Sequence, residues 1–372
     1  MRIGIDAHCI GQRKTGNETY TRSLVKHLGL LEPDGIDYVV YLTSEASRSG
    51  EVFDGPRSRA KLIRPESPFL RIPIGFALES RSEKLDLIHA QYFLPHHLRC
   101  RTVLTVHDVL YERYPEFFAK IDLYRNKIGV PWSCRRADHI ITVSESSKRD
   151  LIEFYGLDPR RITVTYHGPD ECYRPLDQVA AKEKLRKKYG LDGEFILYVG
   201  AIQPRKNVPR LLSAFAELKR KHRISQKLVI VGPKAWMATE AFAAAENLLA
   251  EGDVVVTGYV PREDLACFYN AATVFAYVSI CEGFGLPVLE AFACGTPVIT
   301  SLGSALEEIA GGAAILVDPL DVSAIASAIE SLLTNSDLRA RLRVLGLARS
   351  SHFSCLEMAV QTEAVYRTFM SS

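Results

Sequence analysis

Apolar and β-branched positions gather into short runs separated by longer mixed segments. In the first half these runs are RIGID, DYVVYLT, LDLIHA, TVLTVHD, HIITVS and ITVTYHG. Each is of strand length, and their alternation with helix-length segments predicts β-α-β units in a parallel sheet. One intervening segment, from Glu18 to Leu30, follows a glycine-containing loop and carries Tyr20, Leu24, Val25 and Leu28 at helical spacing. It predicts a helix with one buried face. The pattern breaks between Cys172 and Leu191, where CYRPLDQVAAKEKLRKKYGL is charged and contains Pro175. It restarts with FILYVG, LVIVG, VVVTG, VFAYVS, VIT and AAILVD. Break and restart predict an α/β chain of two doubly wound, Rossmann-like domains, with ligand at the carboxyl ends of the strands facing a cleft. The boundaries read as a first domain over 1–172, a connector over 173–192, a second domain over 193–352 and a terminal helical segment over 353–372. There is no low-complexity tract and no short solenoid repeat.

Composition narrows the classes. The 372 residues are 47% hydrophobic and 24% charged, with 46 Lys and Arg against 44 Asp and Glu. The formal charge of +2 lacks the basic excess of a nucleic-acid-binding protein, so phosphate recognition must be local. Cys9, Cys100, Cys134, Cys172, Cys267, Cys281, Cys294 and Cys355 are scattered without a C-x-x-C pair and read as small hydrophobes. The opening MRIGIDA runs into a strand without the features of a signal peptide, and no apolar run reaches transmembrane length, so a cytoplasmic location is expected. In that setting the Asn17-Glu18-Thr19 glycosylation pattern is accidental.

The strongest signal lies between VFAYVS and VIT. The segment CEGFGLPVLEAFACGTP reads as strand, tight glycine loop, helix, glycine stop and strand. Gly283 and Gly285 allow close backbone approach to a ligand, Pro287 suits a first helical turn, and Gly295 with Pro297 ends the helix. The positive end of that helix suits a phosphate, while Glu282 and Glu290 offer acceptors for sugar hydroxyls. A second segment, VGAIQPRKN, places Arg205 and Lys206 before an amphipathic helix carrying Val208, Leu211, Leu212, Phe215 and Leu218. In isolation such a pair reads as solvated charge. Beside the glutamate motif it reads as a diphosphate clamp, because fixed cations stabilise a leaving group that gains negative charge as its bond breaks.

EGFGLPVLEAFACGTPVI resembles the signature of family 4 of the retaining glycosyltransferases, which have the GT-B fold of two facing Rossmann-like domains, and the likeness extends over nearly the whole chain. By that resemblance Glu282 contacts the transferred sugar, and the loop of Gly283, Phe284, Gly285 and Leu286 contacts sugar and diphosphate. Glu290 holds the ribose, and Gly200, Arg205 and Lys206 face the diphosphate. His107, at the end of TVLTVHD, lies beside the transferred sugar as a positioning residue. Together His107, Glu282, Arg205 and Lys206 form the candidate catalytic set. Gly16, in HCIGQRKTGNETY, matches the family's first glycine loop, which approaches the donor phosphates, although this chain has Asn17-Glu18-Thr19 where further glycines are common. Arg13 and Lys14 read either as exposed loop charge or as contacts for an anionic acceptor. Ser144 and Glu145 end another strand and read as architectural. The base is expected near Gly258, Tyr259 and Val260. Two departures stand out: HGPD at 167–170 replaces a commoner Asn-Gly-hydrophobic-Asp, and FSC at 353–355 replaces Phe-Ser-Trp. The second opens a C-terminal helix that in this fold returns to the first domain.

The chain has no D-x-D triplet, which together with the two cations and the helix dipole implies transfer without metal or cofactor. Retention of configuration is implied by the family. TVHDV, YPEFF, RRAD and TGNETY are similar to mannosyltransferases of surface-polysaccharide pathways, so GDP-mannose is the expected donor, with a UDP-sugar as the alternative. The acceptor is expected to be a glycan or lipid-linked. PESPFLRIPIGFALE reads as a packed helix or as an amphipathic face in peripheral contact with a membrane. Other readings are an epimerase or phosphorylase on the same fold, or a nonenzymatic sugar-nucleotide-binding module. A nicotinamide dehydrogenase is disfavoured because no strand runs into G-x-G-x-x-G.

Overall fold

In β1, Arg2–Asp6, four of five residues are buried, and such strands need helices on both sheet faces to cover them. The computed structural model describes residues 1–11, 15–31, 35–43, 57–64, 67, 71–222, 224–233 and 246–370. Arg13 and Lys14 lie outside the described residues, as does much of the PESPFLRIPIGFALE segment before Arg71.

The chain divides into two compact units, one of Met1–Gly168 with Ser354–Ser372 and the other of Pro169–Phe353. The first holds an all-parallel sheet in the order β3-β2-β1-β4-β5-β6-β7, with β2 Asp37–Leu42, β3 Ser58–Leu62, β4 Leu87–Gln91, β5 Arg101–Thr105, β6 His139–Thr142 and β7 Ile162–Val164. The second holds a parallel sheet in the order β10-β9-β8-β11-β12-β13, with β8 Phe195–Val199, β9 Lys227–Val231, β10 Val254–Gly258, β11 Val274–Tyr277, β12 Val298–Ser301 and β13 Ile315–Val317. Both sheets reverse direction of growth once, beside β1 and β4 in the first and β8 and β11 in the second. Such switch points leave a crevice outside the strands' carboxyl ends where ligands bind.

Each apolar run overlaps one of these strands. β3, in the polar stretch SRAKL, is an edge strand that pairs with β2 in register from Tyr38 with Ser58 to Leu42 with Leu62. The expected amphipathic helix spans Thr15–Leu31 and buries Tyr20, Leu24, Val25 and Leu28. Residues 173–192, read above as the connector, include the helix Gln178–Tyr189. It packs within the second unit, where Lys184, Lys188 and Tyr189 surround the carboxylate of Asp264. The described end of the PESPFLRIPIGFALE segment forms the helical stretch Arg71–Gly75 and Phe76–Ser82, burying Phe76 and Ala77 while Ile74 and Leu78 face solvent. Among the described residues no helix is long and apolar enough to cross a membrane.

The C-terminal helix, Cys355–Arg367, is capped by Ser354 and belongs to the first unit. Its Tyr366 hydroxyl meets His89 Nδ1 at 2.5 Å, and His89 Nε2 meets Thr105 Oγ1 at 2.6 Å, tying the helix to β4 and β5. The two departures from the family pattern meet here. Cys355 Sγ lies 3.1 Å from the carbonyl of Gly168 and 3.9 Å from His167. His167 and Cys355, the two positions that depart from the family pattern, are thus neighbours.

Candidate active site

At the switch point of the second sheet the chain leaves β8 through Gly200 and β11 through Val278. The β8 exit is tight. Gly200 has φ +152° and Gly232, at the end of β9, has φ +148°, and a Cβ on Gly232 would lie 2.1 Å from the Gly200 carbonyl oxygen. Only glycine lets the two backbones approach this closely. A short 3-10 turn, Pro204–Lys206, follows and ends at Asn207 in the left-handed region, φ +61°. The buried Asn207 amide donates to the carbonyls of Val278 at 2.9 Å and Pro319 at 2.6 Å, fixing the turn against the β11 exit.

That turn aims both cations at one carboxylate. Arg205 Nη1 donates to Glu282 Oε2 at 2.7 Å, and Lys206 Nζ donates to Glu282 Oε1 at 2.6 Å. Tyr277, the last residue of β11, donates its hydroxyl to Glu282 Oε1 at 2.9 Å, accepts from Lys206, and lies with its ring centroid 5.0 Å from the ammonium. Its ring stacks between Tyr198 and Phe275, at 6.0 and 5.8 Å. Glu282 is 7% exposed. Burial alone would push its carboxyl up, but Arg205 and Lys206 outweigh burial and hold it at about 2. Burial pulls the Lys206 ammonium down to about 8, against the opposing pull of Glu282. Both groups are charged at neutral pH, and Glu282 is what keeps Lys206 so.

The glycine loop ends at Gly285, φ +121°, where a Cβ would strike Leu306 Cδ2 at 2.6 Å. The helix Leu286–Cys294 begins there with Pro287 in its first turn and stops at Gly295 in the left-handed region. Gly283 is buried, and Phe284 packs edge-on to Phe353 at 6.3 Å. Glu290, half-buried on this helix, belongs to a separate cluster. It accepts from the Tyr269 hydroxyl at 2.7 Å, and burial raises its carboxyl to about 7 against the hydrogen bonds of Tyr269 and Tyr173 and the charge of Arg262. Val260 is buried, whereas Tyr259 is 77% exposed.

In the first unit His107 follows β5, buried, with Nε2 at 3.3 Å from Gln91 Oε1 and its ring edge-on to Tyr20 at 4.7 Å. Burial, with the neighbouring His167 and His89, lowers its pKa to about 3, so it is neutral and a weak base. Gly16 lies in the exposed first turn of its helix, where a Cβ would meet nothing within 4 Å, so packing does not require a glycine there. The structure therefore gathers Arg205, Lys206 and Glu282 around the unforeseen Tyr277, sets Glu290 apart, and shows His107 held by the unforeseen Gln91. Asn207 stands in the VGAIQPRKN motif, and its being an asparagine, which tolerates the left-handed region, is the available sign of the turn.

Two doubly wound parallel sheets with a cation-bound glutamate at a switch point fit a glycosyltransferase of GT-B fold, the class that the comparisons show. Among solved structures, sucrose-phosphate synthase from Thermosynechococcus elongatus has this fold, with a TM-score of 0.79 over 100% of this chain and 99% of its own, at 21% identity. The family model described as Glycosyltransferase Family 4 matches residues 15–171, and that described as Glycosyl transferases group 1 matches residues 181–345. O-antigen chain mannosyltransferase B of Escherichia coli is 33% identical over 87% of this chain and 84% of its own length. Serotype-specific mannosyltransferase WbdA of Escherichia coli is 30% identical over 73% of this chain and 34% of its own, so the chain spans about a third of that relative. The chain belongs to glycosyltransferase family 4, the group 1 glycosyl transferases.

Removing the Glu282 charge leaves Arg205 and Lys206 facing each other in a partly buried site. Glu282→Gln is expected to lower unfolding free energy at neutral pH by about 3 kcal/mol. Because the folded-state carboxyl titrates at about 2 rather than its ordinary 4.5, the wild type loses this stabilisation itself as pH falls through that interval. Urea unfolding of both proteins should show the gap closing from about pH 4.5 downward. A gap independent of pH contradicts the assignment.

Proposed function

We propose that the chain transfers mannose from GDP-mannose to a glycan or lipid-linked acceptor, with retention of configuration and without a metal ion. The second unit binds the donor and the first unit serves the acceptor side. The observation that carries this reading is the convergence of Arg205 and Lys206 on Glu282 at the switch point of the second sheet. Two preorganised cations stabilise a departing diphosphate as a metal would, and at no reorganisation cost during reaction. Glu282, hydrogen-bonded by three donors and weakly basic, is a poor nucleophile. This favours same-face transfer without a glycosyl-enzyme. The bond from the anomeric carbon to the diphosphate oxygen breaks, the acceptor oxygen forms the new bond on the same face, and its proton passes to the leaving phosphate. His107, neutral across the working pH range, positions the sugar rather than removing a proton. The mannosyltransferase relatives support mannose as the sugar, and a UDP-sugar is the alternative donor.

Peripheral membrane contact belongs to the same proposal. On the helix Lys120–Arg136, Val130, Ser133 and Cys134 face inward, while Ile121, Tyr124 and Ile128 stand 70 to 77% exposed at helical spacing. Lys120, Arg125 and Lys127 flank them, with Arg125 also paired to Asp122 and Lys127 to Glu112. An apolar stripe edged by cations fits a bilayer with anionic headgroups.

The donor reading is tested by thermal stabilisation, since a ligand selective for the native state raises its melting temperature. GDP-mannose is expected to stabilise the protein more than UDP-glucose does, with chelator present or absent. If the ionised Glu290 accepts from the ribose hydroxyls, GDP-mannose affinity should rise from about pH 6 to about pH 8, and Glu290→Gln should abolish the rise. No shift with any nucleotide sugar refutes the donor site. The membrane reading predicts co-sedimentation with phosphatidylglycerol vesicles that is lost in an Ile121→Asn, Ile128→Asn variant which still transfers to a soluble acceptor. A wild type that stays in the supernatant, or a variant that pellets equally, refutes it.

A further inference from the structure

The first sheet has its own switch point, between β1 and β4, and at its carboxyl ends lie Asp6 and Gln91. Gln91 is 7% exposed and its side chain reaches four ways, one of them to Cys9 Sγ at 3.9 Å. Nε2 donates to the Asp6 carbonyl at 3.3 Å and to Thr21 Oγ1, and Oε1 faces His107 Nε2 at 3.3 Å. Its neighbours fix which end of the amide is which. A backbone carbonyl can only accept. The single Thr21 hydroxyl proton is directed to the Asn17 carbonyl at 2.8 Å, so Thr21 Oγ1 must accept from Gln91, as it does from Cys9 Sγ at 3.2 Å. The amide nitrogen therefore belongs on the Asp6 and Thr21 side, and the amide oxygen on the His107 side.

That orientation sets the proton on the imidazole. An amide oxygen only accepts, so His107 Nε2 must carry a hydrogen to make the contact. The ring is neutral and carries one proton, so with that proton on Nε2 the lone pair sits on Nδ1. Tyr20, edge-on at 4.7 Å, and Tyr92, tilted at 5.6 Å, limit rotation of the ring.

We infer that Gln91 is a positioning residue that locks His107 as its Nε2–H tautomer, so that Nδ1 is presented as an acceptor reading one hydroxyl of the transferred sugar. The inference rests on the proposed place of His107 beside that sugar. The tautomer itself follows from the hydrogen-bond network and from the burial that keeps the ring neutral. A sugar offering a hydroxyl at that position is accepted, whereas its deoxy counterpart leaves the lone pair unmatched. Thr21, which orients the amide, acts one step further back.

The tautomer is read directly in long-range proton–nitrogen spectra of protein carrying nitrogen-15 histidine, with the His107 signals assigned by their loss in His107→Asn. The wild type is expected to show Nε2–H. Gln91→Met, similar in size but without the acceptor, is expected to show a tautomer mixture. Thr21→Val, which frees the amide to turn, should shift the population the same way if the Met variant folds poorly. Transfer from donors lacking one sugar hydroxyl at a time completes the test. In the wild type one deoxy donor should lose about tenfold in kcat/KM, and Gln91→Met should erase that preference. A wild-type Nδ1–H tautomer, an unchanged tautomer in both variants, or an unchanged deoxy preference overturns the inference. A His107→Ala enzyme with unaltered kcat/KM for every donor instead refutes the placement of His107 beside the sugar, while the tautomer result stands on its own.

Discussion

A buried carboxylate that keeps a half-buried ammonium charged is the interaction on which the second unit's site depends. Lys206 is covered, and burial together with the like charge of Arg205 works against its proton. Glu282, at 2.6 Å, opposes both. The surrounding structure serves this contact. The Gly200–Gly232 approach shapes the exit from β8, Asn207 in its left-handed conformation ties the cation turn to the β11 exit, and the stacked rings of Tyr198, Tyr277 and Phe275 hold the hydroxyl that completes the carboxylate's shell. A site assembled before ligand arrives need not reorganise when charge develops on a leaving group.

The first unit uses its switch point differently. It gathers hydroxyls, an amide and neutral imidazoles near the buried carboxylate of Asp6, and its network runs from Tyr366 on the C-terminal helix through His89 to Thr105, whose Oγ1 lies 3.4 Å from the Tyr20 hydroxyl. His89 and His107 are both held neutral by burial. Neutral donors and acceptors suit an uncharged sugar, as fixed cations suit a diphosphate. His167 and Cys355, two separate departures from the family pattern, lie against each other at the base of the C-terminal helix.

Much of this was legible in the chain because period and punctuation carry fold. Strands with buried faces appeared as apolar runs, and the loop before Leu286 announced itself through Gly283, Gly285 and Pro287. β3 escaped because an edge strand with one covered side needs no apolar run, and SRAKL has none. Arg205, Lys206 and Glu282 were visible as residue types, but their convergence was not, since 76 residues separate Lys206 from Glu282 and only the parallel pairing of β8 with β11 brings them together. Tyr277 was hidden within a strand run, where a tyrosine reads as core. Gln91 was hidden for the opposite reason. A lone amide in LDLIHAQ has no pattern, and its meaning comes from the hydrogen bonds that Thr21 and Asp6 impose on it.

Calorimetry of GDP binding to the wild type and to Glu282→Gln tests the organising role of Glu282 most directly, because two simple expectations have opposite signs. Counting charge alone, loss of a carboxylate beside the proposed diphosphate site tightens binding. If Glu282 instead holds Lys206 in its charged form and fixes the aim of Arg205, the variant loses a cation along with its anion and binds GDP about tenfold more weakly at neutral pH. Weaker binding is the predicted result. Equal or tighter binding would mean that the cations hold their charge and place without Glu282, and would contradict its central role.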